Sequence, residues 1–496
     1  MMRISRLLAT LVLSLAAAAP AAAQGTLTAG GWVSETVEWL DHYEDTAGVA
    51  EGGRLVGNTF FLTNNNQGLF AFDVSVPEKP KKIGTLTLPH GAENEDIATN
   101  GRIALLSQFG DVYHLSDGAT GAGSTVNVID VRDPVKMKII ASVDGGGDHT
   151  WDCLLDCTWA YSSSGLILDL RDPAKPILLP KRWREAFGAP GVSPGFAHDT
   201  TEVAPGWVMV ATTPMTLLDA RDPANPKIVA QAGEEGSPNT HHNIVWPRQM
   251  ADRYVVTASE GQHVGRCETY GAASAALQLY DARPFAKKKT WTPMGSYKPT
   301  NGDFQNGDPP VSATWYGCSA HWAEVHPQWH DGGLIAAAFY SHGAKILRVG
   351  DDGEFKMAGW FLAHGAGASA VYWITDRVLY VADDTRGLDV IRYKGDLPPQ
   401  PATPSTPPEV RPPDSARQPL VDRRAPRLTV RVKRLRGRRL AVTVRCDEDC
   451  YGTIGKRAFS LRRGVSKRVV LRNLRTVRVQ ATDRAGNRTV VNRRGR

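Results

Sequence analysis

A repeated segment constrains the fold more than any other feature of this sequence. In "LLDARDPANPKIV" (217–229), hydrophobic residues run into an Asp, a turn containing Asp-Pro follows, and a second hydrophobic run ends the segment. Related segments recur at a mean step of about 53 residues, a period typical of β-propeller repeats. The aligned anchor positions are Asp73, Asp130, Asp169, Asp219, Asp281, Arg348 and Arg392.

Each repeat follows the same internal plan. Two short strand-like runs precede the anchor, a turn rich in Pro and Asp follows it, and a final apolar run completes the unit. Four strands in each of seven repeats predict an all-β chain with a seven-bladed β-propeller over residues 24–396. The last repeat lacks its final strand, whereas "GWVSETVEWL" (31–40) precedes the first repeat. We predict that this N-terminal segment completes the last blade, because an unpaired edge would otherwise remain.

The repeats resemble LVIVD repeats, and several segments of the later part resemble exported proteins built from such repeats. They are "DHTWDC" (148–153), "THHNIVWP" (240–247), "CSAHWAE" (318–324), "GLIAAAFYSHGAKILRV" (333–349) and "YWITDRVLYVADDTRGLDVIR" (372–392). The resemblance extends over roughly residues 60–395 of the repeat region. It implies a propeller fold and specifies no biochemical activity.

A histidine stands just ahead of the first strand in most repeats. Residues at this position in successive blades are expected to face one another around the central axis. Neutral imidazole is the commonest protein ligand for transition metals, so the histidines predict a metal site for copper, zinc or iron. Acidic residues nearby (Glu93, Asp152, Glu202 and Glu324) are candidate orienting partners or oxygen ligands. The candidate ligands are His90, His149, His198, His242, His321 and His364.

Two other interpretations of these histidines stay open. They are structural groups that bond to turn residues and line a polar channel, or they form a pocket for an anionic or polar small molecule. The sequence contains no Gly-x-Ser-x-Gly, His-Glu-x-x-His or phosphate-loop motif. We therefore expect a binding scaffold with an unidentified protein or small ligand on the propeller face, and keep a metal-dependent oxidoreductase as the alternative.

The N-terminus and the cysteines indicate export. Residues 1–23 combine a basic start, an apolar run and a small-residue cleavage site, as in a secretory signal peptide. No later apolar run is long enough to span a bilayer. Six cysteines in an exported chain predict disulfides, and we expect the pairs Cys153–Cys157, Cys267–Cys318 and Cys446–Cys450. The alternative makes Cys153 and Cys157 metal ligands beside His149, which requires reduced thiols. The expected location is extracytoplasmic: secreted, attached to the cell surface, or periplasmic.

The C-terminal region differs from the repeats in charge. From residue 421 onward there are 24 Lys and Arg against 5 Asp and Glu, which leaves 34 against 46 for residues 1–420. A Pro-rich linker is predicted over 397–426. Residues 427–496 alternate apolar with basic side chains and predict a small β-sandwich. The segment "VQATDRAGNRTVV" (479–491) resembles bacterial immunoglobulin-like modules.

Such a basic domain is expected to bind anionic polymers of the cell envelope, with affinity that falls steeply with salt. The alternative is that its charge only keeps an edge-rich domain soluble. The expected location outside the cytoplasm argues against nucleic acid as the physiological partner.

Overall fold

The computed structural model describes residues 25–44, 52–64, 67–88, 92–93, 97–108, 124–188, 197–212, 215–232, 243–250, 252–260, 276–282, 293–299, 319–365, 367–384, 386–398, 420–437, 439–461, 463–472 and 474–494. Over these residues the fold is all-β, with two short helical segments at Trp183–Phe187 (3₁₀) and α1 (Pro247–Met250). The predicted signal peptide, most of the linker, His90, His242, Cys267 and Cys318 lie outside the described residues. Among the helices of the described part of the chain, none is long and apolar enough to cross a membrane.

Three N-terminal strands precede five consecutive four-stranded antiparallel sheets in which sequence neighbours pair. The N-terminal strands are β1 (Thr26–Leu27), β2 (Gly31–Val33) and β3 (Val37–Tyr43). The first sheet comprises β4 (Gly53–Val56), β5 (Thr59–Asn64), β6 (Gly68–Asp73) and β7 (Lys81–Thr87); the second, β8 (Ala92–Glu93), β9 (Ile103–Gln108), β10 (Thr125–Asp130) and β11 (Lys138–Asp144). The third comprises β12 (Trp151–Leu154), β13 (Trp159–Ser162), β14 (Ile167–Asp169) and β15 (Ile177–Leu178); the fourth, β16 (Thr200–Ala204), β17 (Trp207–Val210), β18 (Met215–Asp219) and β19 (Lys227–Ala232); the fifth, β20 (Ile244–Val245), β21 (Tyr254–Ala258), β22 (Leu277–Asp281) and β23 (Pro293–Tyr297).

The last two sheets of the repeat region each take in N-terminal strands. β2 pairs with β27, and β1 pairs with β2, so the sixth sheet has six strands; β3 pairs with β30 and supplies the fourth strand of the seventh sheet. The sixth sheet contains β24 (Ala323–Val325), β25 (Gly333–Ala338), β26 (Ala344–Val349) and β27 (Phe355–Ala363), and the seventh contains β28 (Ala368–Trp373), β29 (Val378–Asp383) and β30 (Gly387–Tyr393). The prediction that the N-terminal segment completes the last sheet is confirmed by β3.

Each sheet shares a buried hydrophobic core with the sheet before it and the sheet after it. Because side chains alternate across a strand, β5 sends Phe61 toward the second sheet and Phe60 toward the seventh. The core between the last and first sheets also contains Tyr380 and Val390. A ring of four-stranded sheets closed in this way is a β-propeller.

Four of the anchor aspartates begin the turns between the third and fourth strands of their sheets. Asp73 Oδ1 accepts the N–H of the residue two positions on (2.9 Å), as do the corresponding oxygens of Asp130 (3.2 Å), Asp169 (3.0 Å) and Asp219 (3.2 Å). Such Asx turns begin the reversal of the chain, and a backbone hydrogen bond completes each one, for example from the N–H of Lys136 to the carbonyl of Asp133 at 3.0 Å. The repeated Asp of the sequence is therefore a turn residue.

The C-terminal region forms two packed sheets, which we call the C-terminal sandwich (residues 428–494). Its core contains Val442, Val444, Val469, Val477 and Val479, drawn from both sheets. Two of the predicted disulfides, Cys153–Cys157 and Cys446–Cys450, are formed. One sheet contains β31 (Leu428–Leu435), β32 (Arg439–Cys446) and β35 (Ser466–Arg472), and the other contains β33 (Cys450–Ile454), β34 (Arg457–Leu461), β36 (Thr476–Thr482) and β37 (Arg488–Arg494).

The end of the predicted linker is packed against the propeller. Leu420 joins the core between the second and third sheets, and its carbonyl accepts Nε of Arg102 at 3.3 Å. Arg423 donates to the carbonyl of Arg171 at 3.3 Å, and Asn487 of the sandwich donates to the carbonyl of Asp422 at 2.9 Å. The sandwich therefore lies beside the turns that follow β12 and β14.

A buried carboxyl group lies behind this contact. Oε1 of Glu202 accepts the backbone N–H groups of Leu155 (2.9 Å) and Gly206 (2.7 Å). Burial, followed by the nearby carboxylates of Asp152 and Asp156, raises the pKa of Glu202 to about 8 in spite of those two hydrogen bonds. The folded chain holds this proton more tightly than the unfolded chain, so its stability falls as the pH rises from the ordinary Glu range toward 8.

Loss of the N-terminal strands is expected to open the ring. A variant without residues 25–43 leaves β30 with an unpaired edge and exposes the part of the seventh sheet's core that Trp39 covers. We therefore expect a markedly lower Tm and concentration-dependent aggregation. Calorimetry and light scattering measure both effects. A synthetic peptide of residues 25–44 added in trans is expected to restore part of the Tm. A truncated protein as stable as the full chain would contradict this account of closure.

Glu202→Gln is expected to stabilise the protein at alkaline pH. Gln keeps the acceptor oxygen for Leu155 and Gly206 and carries no charge. The pKa of Glu202 rises from 4.5 to about 8, and one pKa unit corresponds to about 1.4 kcal/mol, so we expect a gain of several kcal/mol at pH 8.5 and less than about 1 kcal/mol at pH 5. Denaturant unfolding at the two pH values measures it. Glu354→Gln, at an exposed Glu, is the control and should leave the pH dependence unchanged.

Candidate functional site

Three of the predicted histidines stand two residues ahead of the innermost strand of their sheets. His149 precedes β12, His198 precedes β16, and His321 precedes β24. The rings of His149 and His198 meet edge to face with centroids 4.2 Å apart, and their Nε2 atoms are in direct contact. The structure thus brings two of the six candidate ligands together.

Short hydrogen bonds hold the segments that carry this pair. Asp148 accepts the N–H of His149 (2.8 Å), the hydroxyl of Ser163 (2.8 Å) and the N–H of Ser164 (3.0 Å). Thr150 donates its hydroxyl to the carbonyl of His198 at 2.8 Å, which ties the two connections directly to each other. These bonds hold the backbone of both histidines, and His198 is only 2% exposed.

The contact between the two Nε2 atoms permits two chemical states. Either one ring donates an Nε2 proton to the other, or both lone pairs are directed to the same cation, with the protons on Nδ1. No third His, Cys, Asp or Glu ligand among the described residues completes a metal-binding group with this pair.

His321 is buried in a different environment. Its Nδ1 lies 2.6 Å from the carbonyl of Ser369, an acceptor that places the proton on Nδ1, and its ring packs on Tyr340 with centroids 4.6 Å apart. The hydroxyl of Tyr340 donates to Glu260 at 2.7 Å. His321 therefore belongs to a buried polar chain that joins the fifth, sixth and seventh sheets.

His364 lies at the surface. It follows the long strand β27 and precedes β28 by four residues, and its backbone N–H donates to the carbonyl of Gly30 at 3.3 Å. The pairing of β27 with β2 extends that strand, so the repeat spacing changes at this position. His90 and His242, the other two candidates, are outside the described residues.

Two of the acidic neighbours of the histidines bond to backbone amides of the next sheet. Asp152 accepts the N–H of Glu202 at 2.7 Å, and Glu324 accepts that of Trp373 at 3.1 Å. Both bonds join the innermost strand of one sheet to the innermost strand of the next. The side chain of Glu93 is not among those described.

A buried basic pair was not anticipated from the sequence. Lys345 of β26 is 0% exposed, with Nζ 5.6 Å from the centroid of the Trp360 ring. Burial, together with Lys345, lowers the pKa of His342 to about 3, so this imidazole is neutral at physiological pH. The only signal in the sequence was a lone Lys within the apolar strand "AKILRV".

A second candidate site is the outer face of the three-stranded sheet in the C-terminal sandwich. Cationic side chains pair across neighbouring strands of this sheet. Arg431 and Arg468 lie on either side of Thr443, and Arg439 lies directly opposite Arg472. Among the described residues these cations take part in no ion pair. We call this surface the basic face; its exposed cations are Arg431, Lys433, Arg439, Arg445, Arg468 and Arg472.

No protein-family model matches the chain. No curated protein matches its sequence. Among solved structures, the WD40 repeats of RRP9 are similar to this chain with a TM-score of 0.44 and 8% sequence identity, covering 74% of this chain and 99% of that one. This likeness concerns the chain trace alone, and the propeller assignment rests on the sheets and cores described above.

Proposed function

We propose that the protein is an exported, non-enzymatic binding protein held at the cell envelope. A seven-bladed propeller of the LVIVD type (24–396) would follow a signal peptide (1–23) and present a face to a protein or small ligand. A Pro-rich linker (397–426) and an immunoglobulin-like domain (427–496) would attach it to anionic polymers outside the cytoplasm. The basic face of the C-terminal sandwich is the observation that carries this proposal.

The arrangement of the sandwich supports an electrostatic role. Arg439 and Arg472 are cross-strand neighbours, and like charges in that position destabilise a sheet. A bound polyanion removes the repulsion and gains from counterion release. A role in solubility alone would be met equally well by acidic residues or by dispersed charge.

The course of the chain supports the seven-bladed arrangement. Each of the seven sheets has a shared core on both sides, and β3 supplies the strand that the last repeat lacks. The repeated turns that follow the anchor residues occupy equivalent positions between the third and fourth strands of successive sheets.

Removing charge from the basic face is expected to weaken binding to acidic polymers. For the triple variant Arg431→Gln, Arg445→Gln, Arg468→Gln, we expect the slope of log affinity against log salt concentration to decrease in magnitude by about 2 to 3, because each of the three lost ionic contacts contributes about 0.7 to 0.9. Binding to immobilised polygalacturonate and to isolated cell walls, measured between 50 and 300 mM salt (about the range over which polyanion contacts are screened), tests it.

The matched control carries the same charge loss on the other sheet. Arg478→Gln, Arg493→Gln and Arg494→Gln change three exposed cations of β36 and β37. This control should retain most of the affinity. Equal losses in both variants would show that net charge rather than the basic face governs retention.

A second candidate function is favoured by the contact between His149 and His198. In this alternative, a transition metal (copper, zinc or iron) is bound by the two Nε2 atoms, and the protein is a metal-dependent oxidoreductase. The convergent imidazoles, held by Thr150 and Asp148, fit such an ion chemically. His90, His242, His321 and His364 remain candidate ligands under this alternative.

Metal analysis separates the two functions. If a metal is held by the pair, untagged protein should contain or take up one equivalent, and His149→Ala and His198→Ala should each abolish uptake. Elemental analysis and calorimetric titration with Cu(I), Cu(II), Zn(II) and Fe(II) provide the measurement. His330→Ala, at an exposed histidine that is not among the candidate ligands, is the control and should bind normally. Wild-type protein that takes up none of these ions eliminates the alternative.

A further inference from the structure

A cleft of about 670 Å³ separates the propeller from the C-terminal sandwich. Its volume is within the range of about 300–1,000 Å³ that small-molecule sites usually have. On the propeller side it is lined by Trp159, Arg171 and Arg221. On the other side it is lined by polar residues of the linker end and the sandwich: Asp422, Arg423, Tyr451, Gln480, Asn487 and Arg488.

Two arginines of the cleft are held in fixed positions by the repeat itself. Arg171 uses Nε and Nη2 to bind the carboxylate of Asp169, and Arg221 binds Asp219 in the same way, with Nε to Oδ1 at 2.8 Å. Each guanidinium also lies over a tryptophan ring: Arg171 over Trp159 at 5.1 Å, and Arg221 over Trp207 at 5.0 Å. The carboxylate and the tryptophan ring together fix the orientation of each guanidinium group. Its Nη1 atom is then directed outward as a hydrogen-bond donor.

The same Asp and Arg unit in the second sheet shows what is particular to the cleft. Arg132 binds Asp130 with equivalent geometry, yet its side chain is only 25% exposed, and it does not line the cleft. The side chains of Arg171 and Arg221 are 68% and 58% exposed. The turn of the repeat therefore has a structural role in the second sheet and offers donors to a ligand in the third and fourth.

The charges of the cleft select a ligand with isolated negative groups and hydroxyls. The arginines, including Arg423 and Arg488, donate to carboxylates in a planar geometry. Asp422, however, presents a carboxylate to the same space, and Asp169 and Asp219 lie behind their arginines. A compact polyanion such as phosphate is repelled by these three carboxylates, whereas the hydroxyl groups of a sugar donate to such acceptors.

We propose that this cleft binds a short segment of an acidic polysaccharide, with uronate carboxylates on Arg171 and Arg221 and ring hydroxyls on the sandwich. The inference rests on the proposed binding of envelope polymers and assigns them a specific site. The basic face binds the long polymer through charge density, and the cleft recognises individual sugar acids.

Short oligosaccharides test the cleft separately from the basic face. Calorimetric titration of the full chain with tetragalacturonate should give saturable binding with one site per chain. The double variant Arg171→Gln, Arg221→Gln should weaken that binding at least tenfold, and Arg423→Gln, at an exposed residue of the linker end, should weaken it in the same direction. Arg132→Gln is the matched control and should bind as the wild type does.

The other outcomes are equally specific. The basic-face triple variant should retain tetragalacturonate binding while losing polymer retention, so failure of the envelope proposal leaves a distinct signature. The cleft proposal is overturned if tetragalacturonate does not bind, if neutral galactotetraose binds equally well, if inorganic phosphate displaces the sugar at equal concentration, or if Arg132→Gln weakens binding as much as the double variant.

Discussion

The antiparallel pairing of β3 with β30 is the interaction on which the propeller depends. Each sheet of the ring has apolar side chains on both faces, so a terminal sheet would leave one face and one edge in water. The N-terminal strand supplies the edge, and the core between the seventh and first sheets covers the face. Arg392 strengthens the junction, because it binds Glu38 of β3 at 2.9 Å and Glu78 of the first sheet's turn at 3.4 Å. The residue that departs from the Asp pattern thus has a role at the closure.

The sequence predicted the parts of the fold that follow from local patterns. The Asp and Pro turns repeat because each sheet needs the same reversal, and strict alternation identified the strands of the sandwich, with "LTVRVKRL" matching β31. Closure was predictable because a missing strand and a spare strand could be matched. The packing of Leu420 on the propeller was not predictable, since it joins residues that are far apart in sequence and leaves no periodic signal.

The histidines illustrate the same limit at the candidate site. Spacing placed His149, His198 and His321 at one position ahead of their innermost strands, and the structure agrees. Whether equivalent residues meet depends on the connection that carries each one. Thr150 draws the first two connections together, whereas His321 binds the carbonyl of Ser369 and packs on Tyr340. Residues at the same position of successive repeats therefore do not have equivalent surroundings. The acidic neighbours likewise bind backbone amides, because their contacts too depend on the connection that carries them.

The position of the C-terminal sandwich relates the two proposed binding surfaces to each other. Successive antiparallel strands reverse direction, so the turn after β12 lies at the opposite end of the sheet from His149. The sandwich occupies that opposite end and faces the propeller with Tyr451, Gln480 and Thr482 of β33 and β36. The basic face belongs to the other sheet of the sandwich and is therefore directed away from the acidic propeller. If the basic face lies on an envelope polymer, the end of the propeller that carries His149 and His198 points away from that polymer and stays open to a second ligand.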